Sequence, residues 1–356
     1  MSHQPRGLTW RDHKINMKEP YWAKCQRCTT LQAWGRWLIS VGALILAVPG
    51  LIAGEPSSQG TFTIAMLPDT QHYSRRYHDQ FTAQTEWIKA NRDRENLVFV
   101  THVGDVVNDR KKDMNQWQVA QQAMSVLDGV VPWGVAIGNH DYDSTACRPE
   151  QASAFLEYFG PQRFQRYPWF GGAFTNGLDS CQLFSAGGLD FICFHLELDV
   201  PDYAIAWVEG MLKAHPRRAA ILTTHSYLNG VSGTNGYNDA VSKHGNSGME
   251  VWNKLVRRQP QVFLVLCGHH QRTVAYHQVS TNAAGGRVVE MLADYQKGHN
   301  GGDAWLRLLR FDPAQRVIRV QTYSPSLKAF KTDAQNQFTV PFDLPAVCRA
   351  NGGVNN

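Results

Sequence analysis

The sequence predicts a mixed α/β fold in which β-strands alternate with helices that pack on the outside. Short β-branched apolar runs alternate with longer segments whose apolar residues recur at helical spacing. In addition, five of the apolar runs lead directly into short polar motifs, as expected where strands end at one edge of a sheet. The composition of the 356 residues, 43% hydrophobic and 18% charged, is that of a globular protein rather than a disordered chain.

One domain is predicted over residues 61–345, after a short linker at 54–60 and before a tail at 346–356. Its first half contains three predicted strands and two predicted helices. An irregular region at 142–188 follows, whose many aromatic residues are expected to pack in the core and in a lid. The strands are Phe62–Leu67, Leu97–His102 and Trp133–Ile137, and the helices are Asp79–Arg92 and Met114–Leu127.

The alternation resumes in the second half, where a loop rich in Gly and Asn at 229–247 interrupts it. The last third changes character, because strand-like runs separated by short turns predict an antiparallel addition that closes a second sheet. The predicted elements are strands Phe191–Leu196, Ala219–Thr224, Val262–Cys267, Arg287–Leu292, Trp305–Phe311 and Val317–Tyr323, with helices Tyr203–Ala214 and Met249–Arg257.

The net charge of +5 comes from the N-terminal segment alone. The first 53 residues hold seven Lys and Arg against two acidic residues, which leaves 28 charges of each sign among residues 54–356. A neutral body argues against a protein that binds nucleic acid by neutralising phosphates.

The N-terminal segment has the order of an export signal. A basic region precedes 17 uncharged residues, Trp37–Ala53, with Pro49-Gly50 near their end. We expect export to the periplasm or the extracellular space. Cleavage of a signal peptide is favoured over a retained anchor at 37–53, since 17 residues is close to the lower limit for a membrane span. A start at Met17 would shorten the basic region.

The seven cysteines do not form a simple disulfide framework. Cys25 and Cys28 form a CxxC motif with no second pair, which is weak support for a zinc site. Cys193 and Cys267 lie in apolar strand-like runs and are expected to be buried. Cys147 and Cys181 lie in loop-like surroundings, and a disulfide between them is plausible in an exported protein.

Five polar motifs follow predicted strands, and their side chains suit a divalent cation of intermediate to hard character. None of these motifs contains cysteine, and all of them combine Asp, Asn, His or Gln. The motifs are Asp69-Thr70-Gln71, Gly104-Asp105 with Asn108, Gly138-Asn139-His140-Asp141, Thr224-His225 and Gly268-His269-His270-Gln271.

The order of these motifs resembles the calcineurin-like metallophosphoesterase superfamily, and the resemblance covers nearly the whole chain after the leader. Its blocks run D-x-H, GD-x-x-D/N, GNH-D/E, a lone His and G-H-x-H. The LPDTQ sequence around Asp69, together with 292–296 and 322–325, is similar to a bacterial subgroup. The resemblance implies a four-layer αββα sandwich of two mixed β-sheets flanked by helices, and a phosphoester hydrolase.

The resemblance further implies two divalent metal ions that share Asp105 as a bridge. Asp105, Asn139, His225 and His269 would hold the second metal. The first would be held by Asp69, Asp105, Gln71 and Gln271. The family usually has histidine at positions 71 and 271. Because glutamine oxygen is a weaker, harder donor than imidazole, manganese or magnesium is favoured over zinc. Iron is also among the metals that the family uses.

The same resemblance implies that the two metals activate a bridging hydroxide, with Asn139 and His140 binding the substrate. His140 would assist the leaving group and Asp141 would orient His140. Three states of the glutamine-bearing site stay open: a normal site, a site filled only by excess metal, or a site without catalysis. His72 and His270 are disfavoured as ligands because neighbouring side chains on extended backbone point to opposite faces.

The predicted function is hydrolysis of phosphodiesters or phosphomonoesters, with small or lipid-derived substrates chosen by the loops at 142–188 and 229–247.

Asn108 occupies the position at which purple acid phosphatases carry tyrosine, which argues against a charge-transfer iron site. His102 is favoured as a core or supporting histidine, while the role of His195 stays open.

Two alternative functions stay open: a non-catalytic metal- or ligand-binding protein on the same scaffold, and a nuclease. Membrane contact is expected only through the N-terminal segment.

Overall fold

The computed structural model describes residues 60–144, 151–231, 236–242, 245–270, 272, 274–345 and 348. All of them belong to one compact unit that begins at Pro56. The predicted signal segment, the CxxC motif, Cys147 and Gln271 lie outside this part of the chain. Among the residues described, no helix combines the length and apolar character that a membrane crossing requires.

Fourteen strands and seven α-helices make up the described chain. The strands are β1 Phe62–Leu67, β2 Leu97–His102, β3 Trp133–Val135, β4 Phe170–Ala173, β5 Ser180–Ala186, β6 Leu189–Leu196, β7 Ala219–Thr224, β8 Val262–Cys267, β9 Ala275–Thr281, β10 Arg287–Ala293, β11 Leu306–Asp312, β12 Val317–Ser324, β13 Ala329–Lys331 and β14 Gln337–Pro341. The helices are α1 Gln71–Arg75, α2 His78–Asn91, α3 Met114–Ser125, α4 Ser153–Phe159, α5 Pro161–Phe164, α6 Asp202–Ala214 and α7 Gly248–Val251, which continues as a π-helical turn over Trp252–Val256.

The strands form two seven-stranded mixed sheets. The first has the order β13-β12-β11-β1-β2-β3, with β14 also paired to β12. The second has the order β4-β5-β6-β7-β8-β10-β9. Strands β1, β2 and β3 run parallel in the first sheet, and β6, β7, β8 and β10 run parallel in the second. The parallel strands of each sheet therefore end at a common edge.

Three apolar clusters separate four layers. The cluster between the sheets includes Phe62 and Phe99 from the first sheet and Phe191 from the second. The two outer clusters bury the opposite faces of the sheets, one against α2 and α3 and the other against α6 and α7. Each fully buried Phe or Leu contributes about 2 kcal/mol of transfer free energy, so this layering provides most of the driving force for folding. The predicted αββα sandwich of two mixed sheets is confirmed.

The structure differs from the sequence predictions mainly where strands are amphipathic or short. The region 142–188 contains two short helices and the strands β4 and β5, although it was expected to be irregular. Strands β9, β13 and β14 were also missed. The antiparallel strands β11 and β12 extend the first sheet next to β1, whereas β10 joins the second sheet parallel to β8. Cys181, Cys193, Cys267 and Cys348 are buried free thiols.

Candidate metal centre

The predicted polar motifs lie where the parallel strands of the two sheets end. Asp69 follows β1, and Asp105 follows β2. In the second sheet, His225 follows β7 and His269 follows β8. Because the two sheets pack face to face, these strand ends bring side chains from distant parts of the sequence together.

The loop after β2 presents Asp105 through unusual backbone geometry. Gly104 and Asp105 both have positive φ, 99° and 53° respectively, which bends the chain sharply at the strand end. Oδ1 of Asp105 accepts a hydrogen bond of 2.8 Å from the backbone N–H of His140. A Cβ on Gly138 would overlap both Oδ1 and the backbone N of Asp105. Glycine at position 138 is therefore what lets the two loops approach each other.

His225 is the centre of the candidate site. Its ring is fully buried, and Nδ1 lies 3.0 Å from the carbonyl oxygen of Val103. Nε2 lies 3.2 Å from Oδ1 of Asn139, 3.3 Å from Oδ2 of Asp105 and 3.2 Å from Nδ1 of His269. The ligand atoms of Asp105, His225 and His269 all lie within 4.8 Å of one another.

These atoms fit a metal cation. A metal-ligating histidine usually donates one ring N–H to a carbonyl or carboxylate and binds the metal through the other nitrogen. With Nδ1 next to a carbonyl oxygen, Nε2 of His225 is the atom that points at the amide oxygen of Asn139 and the carboxylate of Asp105. A cation that replaces the proton on Nε2 would have all three groups as ligands.

Three of the four residues predicted for the first metal site, Asp69, Asp105 and Gln71, lie at the same place. Asp69 is buried, and its Oδ2 lies 3.3 Å from the backbone N of His269. Oδ1 of Asp69 has no hydrogen-bond partner among the residues described. Nε2 of Gln71 lies 3.0 Å from Oδ2 of Asp105, so the glutamine side chain faces this carboxylate. The position of Gln271 stays a prediction.

Burial and mutual charge shift the pKa values of these groups strongly. Burial opposes charge on the His225 ring, but the carboxylates of Asp105 and Asp69 outweigh it and raise the pKa of His225 to about 10. In the same way His225 outweighs burial at Asp105 and holds its pKa below the usual range. Burial, followed by the charge of Asp294, raises the pKa of Asp69 well above its usual value. Burial, followed by the charge of His225, lowers the pKa of His269 to about 3.

His140 and Asp141 contact the site through the backbone. Nδ1 of His140 lies 2.7 Å from the carbonyl oxygen of Asn108, which leaves Nε2 available. The Asp141 carboxylate is fully buried and accepts hydrogen bonds from the backbone N–H groups of Val106, Val107 and Gly138 at 2.8, 3.2 and 2.9 Å. Asp141 therefore ties together the two loops that carry Asp105 and His140, and its oxygens contact this backbone rather than the His140 ring.

The other candidate histidines lie in different surroundings. His102 is buried, with Nε2 at 2.9 Å from Oγ1 of Thr70 and Nδ1 accepting from the N–H of Gly104. Burial lowers its pKa to about 3, so the ring is neutral and supports the loop before Asp105. His195 lies between the sheets, bonded to Gln182 at 2.6 Å and to Thr101 at 2.9 Å, and is a structural histidine.

His72 and His270 are only partly buried. Residues 71 and 72 belong to helix α1, not to the extended backbone that the sequence argument assumed. The side chain of Gln71 contacts Asp105, whereas Cβ of His72 lies against the backbone of Gly301. Nδ1 of His270 has no hydrogen-bond partner among the described residues.

Asp294 was not among the site residues predicted from the sequence. Asp294 follows β10 directly, is 1% exposed, and is the strongest charged influence on Asp69. The signal was present in the sequence, because an acidic residue directly after an apolar strand is the same pattern that identified Asp69 and Asp105.

Comparison with known proteins decides the family. The sequence profile of the calcineurin-like phosphoesterases matches residues 62–272. The chain belongs to the calcineurin-like phosphoesterase family. The uncharacterized protein YvnB of Bacillus subtilis is 36% identical over 300 residues, which are 81% of this chain and 22% of that protein. The chain thus spans only about a fifth of the length of this curated relative.

Among solved structures, one with a TM-score above 0.5 shares this fold. The purple acid phosphatase of yellow lupin (Lupinus luteus) seeds matches with a TM-score of 0.52 and 13% identity, covering 81% of this chain and 55% of that one. A dimetal phosphatase from Danio rerio matches with a TM-score of 0.49 and 11% identity over 80% of this chain and 100% of that one. At such identities the similarity concerns the fold, and the activity has to be argued from the site.

Proposed function

We propose that this calcineurin-like phosphoesterase is a metal-dependent hydrolase of phosphodiester or phosphomonoester bonds. The observation that carries the proposal is the convergence of potential metal-ligand atoms: Nε2 of His225 lies 3.2 to 3.3 Å from oxygens of Asn139 and Asp105, and 3.2 Å from Nδ1 of His269. Such a cluster, with His140 adjacent to it, is suited to holding a cation next to a phosphoryl group.

The residues that would hold two divalent ions form two overlapping sets. Asp105, Asn139, His225 and His269 would hold one ion, and Asp69, Asp105 and Gln71, with Gln271, would hold the other. Two bound cations supply Lewis acidity and an activated water for in-line displacement at phosphorus. The set that contains Asp69, which is the first metal site of the sequence prediction, has only carboxylate and amide side chains. This donor chemistry favours Mn²⁺ or Mg²⁺.

The protein's own groups would then bind and orient the substrate. With Nδ1 of His140 bonded to the carbonyl oxygen of Asn108, the free Nε2 is the atom that would give a proton to the leaving oxygen. The amide nitrogen of Asn139 remains available for a phosphoryl oxygen while its Oδ1 faces His225. Asp141 fixes both loops through backbone hydrogen bonds, so the distance between Asp105 and His140 is preset.

We further propose that the substrates are small or lipid-derived phosphoesters outside the cytoplasm. The support is the basic and apolar order of residues 1–53 and the neutral charge balance of residues 54–356. The same neutral balance disfavours a nuclease, because binding to a nucleic-acid backbone relies on Lys and Arg.

The test is hydrolysis of bis-p-nitrophenyl phosphate and p-nitrophenyl phosphate by the full chain, stripped of metal and titrated with Mn²⁺. We expect activity that depends on metal and falls by more than about 100-fold in Asp105→Asn, since losing even an outer partner of a metal ligand costs about 10–100-fold. Asp343→Asn is the control, because Asp343 pairs with Arg287 on the surface. A folded protein inactive on both esters at every metal level would overturn the proposal and favour the non-catalytic binding protein.

A further inference from the structure

Asp294 occupies the same edge of the second sheet as the two histidines of the metal centre. Strands β7, β8 and β10 are parallel neighbours, and they are followed by His225, His269 and Asp294 respectively. Leu292 of β10 pairs with Cys267 of β8. His269 and Asp294 each come two residues after this pair, so they follow the ends of neighbouring strands. Three adjacent strands therefore carry potential ligands at one edge of the sheet.

The carboxylate of Asp294 is held by Gln296. The backbone N–H and the side-chain Nε2 of Gln296 lie 3.1 and 3.0 Å from the two oxygens of Asp294. Both residues are buried, with 1% and 2% of their surface exposed. Oε1 of Gln296 has no hydrogen-bond partner within the described chain. Oδ1 of Asp69 makes no hydrogen bond there either, although Nδ1 of His225 lies 3.7 Å from it. A buried oxygen without a hydrogen bond is costly unless a cation or water meets it.

Asp294 also interacts electrostatically with the residues of the predicted first metal site. After burial, Asp294 is the largest influence on the pKa of Asp69 and raises it, whereas His225 lowers it. Burial raises the pKa of Asp294 itself, the hydrogen bonds from Gln296 and the charge of His225 lower it, and the charge of Asp105 raises it. The three buried carboxyl groups therefore interact with one another and with His225. A cluster of buried carboxyl groups of this kind is the electrostatic setting of a divalent cation.

We propose that Asp294, positioned by Gln296, belongs to the first metal site and supplies it with a third carboxylate. The inference rests on the two-metal centre of the proposed function. Gln71 and Gln271 are neutral donors that bind a cation more weakly than a charged ligand does. The added carboxylate strengthens the site and keeps it a site of oxygen donors, which prefers Mn²⁺ or Mg²⁺ to Zn²⁺.

The experiment measures metal binding without substrate. Mn²⁺ is titrated into the metal-free full chain by isothermal calorimetry, and free Mn²⁺ is followed in parallel by electron paramagnetic resonance. We expect Asp294→Asn to weaken one of two Mn²⁺ affinities at least about tenfold, to leave the other unchanged, and to shift the weakened site toward Zn²⁺. Glu290→Gln is the matched control. It alters a buried acid four residues earlier, hydrogen-bonded to Tyr227 instead of the site, and keeps both affinities.

The inference is overturned if Asp294→Asn binds two Mn²⁺ ions within about twofold of the unmodified chain, or if the unmodified chain binds fewer than two. Should circular dichroism show that Asp294→Asn is unfolded, Gln296→Ala carries the test. Removing the group that holds Asp294 is expected to weaken the same ion severalfold, and unchanged affinity overturns the inference. An unmodified chain that binds two Mn²⁺ ions with the expected loss in Asp294→Asn, but hydrolyses no ester, would refute the proposed function alone.

Discussion

Nε2 of Gln71 donates a hydrogen bond of 3.0 Å to Oδ2 of Asp105 and thereby joins the first residue of helix α1 to the candidate site. The glutamine is buried, so its amide has no alternative contact with solvent. A neutral amide at this position replaces the imidazole that the family usually carries. The consequence is a metal site whose strength depends on the oxygen donors around it.

The first prediction concerns the identity of the residue at position 71. Gln71→His restores an imidazole beside Asp105, and nitrogen donors favour Zn²⁺ over Mn²⁺ in such sites. We expect the Zn²⁺ affinity of the first metal site to rise about tenfold or more, while its Mn²⁺ affinity changes less. Competition with a chromogenic chelator, starting from metal-free protein, measures both values.

His72→Gln is the control for this substitution, because it removes an imidazole one residue away. Cβ of His72 packs against Gly301, and its ring is only partly buried. Both metal affinities should stay within about twofold of the unmodified chain. A large loss of metal in His72→Gln would instead identify His72 as the ligand and refute the role given to Gln71.

The second prediction is that metal binding releases protons. The metal-free protein has a His225 pKa of about 10, so the ring is charged at neutral pH, and Nε2 has to lose its proton before it can bind a cation. The apparent affinity should therefore rise about tenfold per pH unit above neutrality, until the pH passes about 10. Calorimetry at pH 7 in buffers of different ionisation enthalpy counts the protons released, and we expect at least about one.

The same shift predicts the pH dependence of the metal-free fold. A histidine whose pKa is raised by folding stabilises the folded state fully below its ordinary pKa of 6.5, and this contribution is lost as the pH rises through about 10.

The control for proton release on metal binding is His215→Gln. His215 lies at the end of α6, away from the site, so this substitution should leave the proton count unchanged. Binding that releases no proton would mean that His225 is already neutral.

Much of the fold and of the site is predictable from the sequence, for a specific reason. Strands β1, β2, β7 and β8 are buried along their whole length or nearly so, and each is a continuous apolar run that ends in a polar motif. An apolar run of this kind predicts both ends of a strand to within a residue. The parallel pairing of these strands brings Asp69, Asp105, His225 and His269 to one edge.

The missed elements lack that signal. Strand β9 alternates between partly buried and exposed residues at the edge of the second sheet, and β4 contains two glycines. Their pairing depends on neighbours far away in the sequence, which local propensity does not contain. The backbone contacts of Asp141 were not predicted for the same reason. A carboxylate next to His140 suggests a partner for that ring, yet its oxygens contact the backbone of Val106 and Val107, reached only in the folded chain.

The third prediction concerns the close approach of the two site loops. Gly138→Ala places a methyl group where Oδ1 and the backbone N of Asp105 now lie, so one loop has to move. We expect the affinity for both metals to fall about tenfold or more, because ligand geometry is displaced together with the hydrogen bond from His140 to Asp105. Calorimetric titration with Mn²⁺ measures the loss. Gly210→Ala, in helix α6 with open space around the added Cβ, is the control and should bind metal normally. Full affinity in Gly138→Ala would show that the loops are not rigidly coupled.

The fourth prediction concerns Asp141, whose carboxylate accepts three backbone hydrogen bonds inside the protein. Asp141→Ala leaves the N–H groups of Val106, Val107 and Gly138 without an acceptor, and each unsatisfied buried donor costs about 1–3 kcal/mol. We expect the free energy of unfolding of the metal-free chain to fall by about 3 kcal/mol or more, measured by urea denaturation. Asp343→Ala, which removes a surface ion pair with Arg287, should cost less than about 1 kcal/mol. If the two variants lose equal stability, Asp141 does not hold the loops together, and its carboxylate would be free to act on His140 instead.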